Sequence, residues 1–364
     1  MITINEIFRT YCPEYIHHFG DHIPKLHLKV INAINSCRTS ACGMVIFICK
    51  SCGKSHKMFR SCGNRHCPVC QNHKTQQWLQ RHLKQQLPGH HFMITFTVPQ
   101  QLRRFIRNHA KMAYSALFAA SSHTLKAVAA NERFIGGDLP GFFGVLHTWG
   151  RQLQYHPHIH YVVAGGALSK SHAKWHPSPV NFFAPVRVMS KIFKAKLRDE
   201  FKRIGLIHQI EPDVWQQDFN VNCQAMGNCH QSVRYLAPYV FKVAISNSRI
   251  IKVENGKVFF RYKKSHSQRW RTMALDTKEF IRRFLEHVLP VGFMKVRYYG
   301  FMNPASCVNL DEIRSLIEAA HCFDVDSPDI DQQKDVYPTC PHCGGELEFQ
   351  CFIHPFITQI AEYG

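Results

Sequence analysis

The sequence predicts an α+β fold preceded by a small cysteine-rich domain, and three observations carry that expectation. Segments such as "HHFMITFTVP" alternate apolar and polar residues with the two-residue period of a strand. Others, such as "TKEFIRRFLEHVLP", repeat apolar residues at helical spacing. Near the N-terminal end, CxxC pairs take the place of long apolar runs. Composition agrees, since 364 residues at 45% hydrophobic can bury a full core. No run of about 18 apolar residues occurs and "MITINEIFRTYCPEY" lacks the features of a secretory signal, so the expected location is cytoplasmic, nucleoid-associated, with no membrane partner. Thiols stay reduced there, and 15 cysteines argue for metal ligation over disulfides. Forty-five Lys and Arg against 25 Asp and Glu give a net charge of +20. A polyanion is the natural partner, nucleic acid being the commonest.

The sequence divides into three stretches: 1–88, 89–302 and 303–364. In the first, "CKSCGKSHKMFRSCGNRHCPVC" sets Cys49-x-x-Cys52 and Cys67-x-x-Cys70 14 residues apart. Each pair, flanked by Gly or Pro, forms a knuckle aiming two thiolates at one ion, and two knuckles complete a tetrahedral zinc site. Cys37, Cys42, His56, Cys62, His66 and His73 surround the knuckles and could furnish a second zinc, or be buried thiols and surface histidines. So polar a stretch needs metal to stay folded. Arg60 and Arg65, with Lys50, Lys54, Lys57 and Lys74, decorate the ribbon as a DNA-contacting module requires, and as any solvated surface does.

The second stretch opens with the strand Phe92, Ile94, Phe96, Val98, stopped by Pro99. A helix is expected over Leu102–Ala130, then a short strand in "GFFGVLHTWG". In "YHPHIHYVVAGG" the strand period puts His158 and His160 on one face, where two imidazoles can chelate one divalent ion, and Ile159 in the core. Pro157 places the strand start near His158, which makes His156 an accessory candidate. Gly165-Gly166 marks the strand end. Downstream, "SVRYLAPYVFKVAISNSR" carries Tyr235 and Tyr239, one helical turn apart. Two phenols beside a two-histidine metal site in a basic protein suggest covalent phosphodiester chemistry, a tyrosine oxygen attacking a DNA phosphorus. The bland alternative is a pair of core aromatics.

The ordered series "RHCPVCQ", "ITFTVP", "VLHTWGRQLQYHPHIHYVVAGGAL", "RYLAPYVFKVAISNSRI" and "EFIRRFLEHVLPVGFMKVRYYGF" resembles the insertion sequence 91 family of transposases, two-tyrosine members of the HUH (His-hydrophobic-His) superfamily. The resemblance runs from about Cys37 to Phe301. It implies an antiparallel-sheet HUH endonuclease core with flanking helices, an N-terminal zinc-binding domain, and rolling-circle-type transposition. It also implies His158 and His160 as metal ligands and Tyr235 and Tyr239 as nucleophiles. Relatives often carry a basic residue where this chain has Pro238, which can kink a helix or start one, leaving open whether one or both tyrosines act.

A third metal ligand is open among His147, Gln152, His156 and Gln231. A phosphate-polarising site with open positions suits Mg2+ or Mn2+. Around Asn255-Gly256 two alternating runs form a hairpin whose Lys257 and Arg261 could hold phosphates while exposed aromatics stack unpaired bases. "KVRYYG" reads as a strand with Lys295 and Arg297 outward. In the last stretch, the acidic "DVDSPDIDQQKD" reads as a linker, and Cys340, Cys343, Cys351 and His354 could form another zinc site. No GxxxxGK[ST] loop appears, so strand separation is left to supercoiling, replication or a host helicase. The expected partners are single-stranded DNA of the element ends and target DNA. The alternatives are a plasmid rolling-circle replication initiator or relaxase, and a non-catalytic zinc-dependent DNA-binding regulator.

Overall fold

The protein is described by a computed structural model covering residues 2–71, 75, 77–79, 87–228, 244–264, 267, 269–321 and 338–355. In chain order come helices α1 (Ile4–Phe19) and α2 (Lys25–Ser36), strands β1 (Met44–Cys49), β2 (Ser55–Phe59) and β3 (His90–Thr97), and helices α3 (Gln100–Asn108) and α4 (Ala110–Ala130). Strands β4 (Leu139–Trp149), β5 (Tyr155–Leu168) and β6 (Trp175–Pro177), helix α5 (Val186–Arg203) and strand β7 (Asn220–Asn228) follow. Strands β8 (Ile250–Glu254), β9 (Lys257–Lys263) and β10 (Trp270–Asp276), helix α6 (Thr277–Leu285), strand β11 (Val296–Tyr299), helix α7 (Leu310–His321) and strand β12 (Leu347–Ile353) complete the described elements.

The chain divides into two compact units that do not follow the three consecutive stretches expected. One gathers Met1–Lys74, Phe241–Val288 and Ile330–Gly364, the other Thr75–Val240 and Leu289–Asp329. Tertiary pairing overrides chain order in both. Strand β12 joins β1 in an antiparallel ladder, so the last stretch returns to the first. Helix α7, by contrast, buries Ile313 and Ile317 with Leu87, Trp175 and Phe301 and so belongs to the second unit.

The second unit is built on an antiparallel sheet of order β11-β4-β5-β3-β7, with β6 pairing β5. Alternation decides its two faces. Phe92, Ile94 and Phe96 of β3, Phe142 and Leu146 of β4, and Ile159, Tyr161 and Val163 of β5 share one core. Helices cover them with Leu102 and Ile106, Tyr114, Leu117 and Phe118, and Met189, Phe193 and Leu197. Each fully buried side chain of this kind contributes about 1.5–3 kcal/mol. At the centre, the Tyr161 hydroxyl lies 2.7 Å from Ser121 Oγ. Its ring lies across Gly144, where a Cβ would sit only 2.4 Å away.

Four local expectations change. The expected long helix is two, because His109 leaves helical geometry at φ −112°, ψ 33° and separates α3 from α4. Strand β5 starts at Tyr155, not at His158, and Pro157 is accommodated by a register irregularity against β4 between His147 and Trp149. Gly165 and Gly166 do not end the strand; they admit the close approach of His90 and Trp175, whose atoms a Cβ would meet at 2.3 and 2.5 Å. Arg297 turns inward, its guanidinium 4.5 Å from the centroid of Phe118 and donating to Ser115 Oγ.

The first unit holds two three-stranded sheets, β12-β1-β2 and β10-β9-β8. The expected hairpin turn is present: Asn255 and Gly256 take φ of 50° and 69°, the left-handed pair that matches strand twist. Behind it, Phe260 meets Phe280 of α6, and Phe284 of α6 stacks edge-on against Phe8 of α1.

Candidate metal centres and active site

On the sheet face opposite the helical core, register sets His147 of β4 beside His158 of β5, with His160 two residues along. The ligand nitrogens of His147, His158 and His160 all lie within 4.8 Å of one another. His158 donates from Nδ1 to the carbonyl of His156 at 2.7 Å, which leaves its Nε2 as the acceptor. His160 Nδ1 lies 2.8 Å from Thr95 Oγ1, its partner across β3. Such outer contacts fix ring orientation and tautomer in metal sites. Burial pushes His158 down to about 4 and His160 well below the ordinary imidazole range, so both are neutral at pH 7 and can ligate. His156, pushed by burial to about 3, contributes its carbonyl and stands outside the cluster.

The same face continues onto edge strand β7. Asn222 pairs with Thr95 and Asn220 with Thr97, and exposed Asn220, Asn222 and Gln224 extend a polar row from the histidines. Neither Thr95 nor this row was recognisable in the sequence, where isolated Thr and Asn carry no spacing signal. Tyr235 and Tyr239, like His73 and Gln231, lie outside the described residues.

The cysteines assemble differently from the expected Cys49-Cys52-Cys67-Cys70 site. Cys67 and Cys70 meet Cys37 and Cys62, while Cys49 and Cys52 meet Cys340 and Cys343. The reason is the β1–β12 ladder, which brings a distant knuckle to Cys49 and Cys52. Cys351 and His354 consequently do not join Cys340 and Cys343; both are exposed, and Cys351 pairs Ile46 within the ladder. His66 is buried outside either cluster. In the first cluster Cys70 Sγ lies 3.7 Å from Cys37 Sγ and 3.5 Å from Cys62 Sγ, and Asn5 donates to Cys67 Sγ. Hydrogen bonding from Cys62 holds Cys67 down to about 5, and the backbone of Cys52 holds Cys49 down to about 6. These are thiolates at neutral pH, the form zinc binds.

Two family descriptions match the chain: "Transposase zinc-binding domain" over residues 7–98 and "Putative transposase" over residues 141–309. The "Putative transposase y4qJ" of Sinorhizobium fredii is 35% identical over 326 residues, covering 82% of this chain and 80% of that protein. The chain belongs to the insertion sequence 91 family of transposases. The "Transposase for insertion sequence element IS801" of Pseudomonas savastanoi pv. phaseolicola is 26% identical over 301 residues, covering 78% and 72%. No solved structure matches.

In this transposase the zinc-binding domain and its cysteine clusters support structural zinc. Among the described residues no helix is long and apolar enough to cross a membrane. Of the four basic residues singled out for DNA contact, Arg60, Lys257 and Arg261 are exposed. Arg60 lies over the Phe352 ring and Arg261 over Trp270. Arg65 is half-buried, and burial lowers its guanidinium from the usual range.

Proposed function

We propose that this transposase nicks and rejoins single-stranded DNA through a 5'-phosphotyrosine intermediate in rolling-circle-type transposition. The observation that carries the reading is the convergence of His147, His158 and His160 on the sheet face opposite the helical core. Three imidazoles, with Thr and Asn oxygens on the same face, fit a divalent cation that keeps positions open for phosphate, Mg2+ or Mn2+ in a cell. When bound, such an ion polarises a phosphate oxygen and offsets the charge that develops on it.

Tyr235 or Tyr239 supplies the nucleophile. Its phenol oxygen bonds to phosphorus as the proton leaves to water, the P–O3' bond breaks, and the departing oxygen takes a proton to become a free 3' hydroxyl. The reverse attack by a 3' hydroxyl rejoins the strand and frees the tyrosine, so no nucleotide cofactor is consumed. Arg60, Arg65, Lys257 and Arg261 contribute charge toward element-end and target DNA, and duplex opening falls to supercoiling, replication or a host helicase.

Incubation with single-stranded oligonucleotides from the element ends plus Mg2+ or Mn2+, resolved on denaturing gels, tests the proposal. A covalent adduct is expected, lost in Tyr235→Phe/Tyr239→Phe and in His158→Ala/His160→Ala. An adduct that survives both double substitutions overturns it.

A further inference from the structure

The cluster Cys49, Cys52, Cys340 and Cys343 draws its ligands from sequence positions that neither family match spans together, since those matches cover 7–98 and 141–309. Cys49 Sγ lies 3.5 Å from Cys343 Sγ, and Cys52 Sγ 3.7 Å from Cys340 Sγ. A sulfur tetrahedron around zinc, with Zn–S of about 2.3 Å, has edges of about 3.8 Å. A disulfide would require about 2.05 Å. The spacing therefore fits four thiolates on one ion.

The backbone is built for the same purpose. Both knuckles turn through a glycine directly after the second cysteine, Gly53 at φ 68° and Gly344 at φ 75°. In each, that glycine N–H returns to the first cysteine's carbonyl, at 2.9 Å for Gly53 and 2.8 Å for Gly344. The knuckles also interlock: Lys50 N–H donates to the Glu346 carbonyl, and its ammonium pairs with the Glu346 carboxylate at 3.1 Å. A Cβ on Gly345 would stand 3.1 Å from Cys49 Sγ.

Apolar packing is too sparse to hold the returning strand. The local core contains Cys49, Cys340 and Leu347 with Phe47 against it, whereas Phe349 and Phe352 of β12 are 47% and 56% exposed. The two cysteine clusters also differ in access. Cys37, Cys67 and Cys70 are buried, whereas Cys52 and Cys343 are exposed.

We infer that a second zinc ion, held by Cys49, Cys52, Cys340 and Cys343, is a solvent-accessible clasp that fastens β12 onto the N-terminal ribbon and opens before the buried zinc at Cys37, Cys62, Cys67 and Cys70. The inference is independent of the nuclease reading, and its test uses no DNA.

Zinc is counted by native mass spectrometry on the full chain, with amide exchange followed in parallel. Wild type is expected to hold two zinc ions and Cys340→Ser/Cys343→Ser one, with exchange rising in 44–49 and 347–353 but not in 92–96. On wild type alone, a chelator is expected to remove zinc in two phases, the faster one deprotecting 347–353. One zinc per wild-type chain, two retained in the double variant, or 347–353 remaining protected after the first zinc departs would each overturn the clasp.

Discussion

Thr95 Oγ1 lies 2.8 Å from His160 Nδ1, directly across the ladder between β3 and β5. The contact places a hydroxyl behind a proposed metal ligand. When Nε2 of His160 faces a cation, Nδ1 carries the proton and donates it to Thr95. Removing the hydroxyl while keeping the shape, as in Thr95→Val, is expected to weaken Mn2+ binding about 10–100-fold. Thr95→Ser should restore most of it. Isothermal titration with Mn2+ on wild type and the two variants checks the ranking, and equal affinity in wild type and Thr95→Val would remove Thr95 from any positioning role.

The Tyr161–Gly144 pairing makes a separate claim about stability. A Cβ at Gly144 would overlap the ring at 2.4 Å. Overpacking of this kind typically costs about 1–3 kcal/mol. Tyr161→Phe should cost about 1 kcal/mol through loss of the 2.7 Å bond to Ser121. Urea unfolding measures both, and Gly144→Ala is expected to be the worse.

Buried imidazoles make the second unit acid-sensitive. Burial pushes His91 and His158 each to about 4. Their unfolded value is near 6.5. Between those values the unfolded chain binds protons that the folded chain does not, so stability rises with pH there. The stabilisation is full above about pH 6.5 and declines as pH falls toward 4, by up to about 1.4 kcal/mol per pH unit for each group. Denaturant midpoints of the zinc-loaded protein, measured without added Mg2+ or Mn2+ between pH 7.5 and 4.5, should fall, and His91→Gln should flatten the decline.

Lys257 and Arg261 lie on one exposed face of β9, beside Phe259 and near Trp270, which is 54% exposed. Each phosphate neutralised on single-stranded DNA contributes about 0.7 to the log–log salt slope. Lys257→Ala and Arg261→Ala are each expected to lower that slope by about this amount in fluorescence anisotropy. An unchanged slope would mean that these side chains do not meet phosphate.

What was legible in the sequence was what is local. Strand alternation placed His158 and His160 on one face because the two-residue period needs no partner strand. The Asn255-Gly256 turn and the CxxC knuckles were legible for the same reason. His147 could only be one candidate among four, because β4–β5 register brings it to His158. For the knuckles, short spacing favours Cys49/Cys52 with Cys67/Cys70, whereas sheet pairing brings Cys340/Cys343 to Cys49/Cys52. Thr95 had no signal at all, since its role exists only across a ladder.

The β1–β12 ladder has a kinetic consequence. Cys49 and Cys343 are 294 residues apart in sequence. Strands β4 and β5 need only a short connection to find each other, and their contacts can reward chain closure early. The ribbon must close a loop that includes the whole second unit before its third strand adds anything. Refolding from denaturant should therefore assemble the histidine-bearing sheet first and seal the ribbon last, so the slowest step is the meeting of two distant parts of the chain.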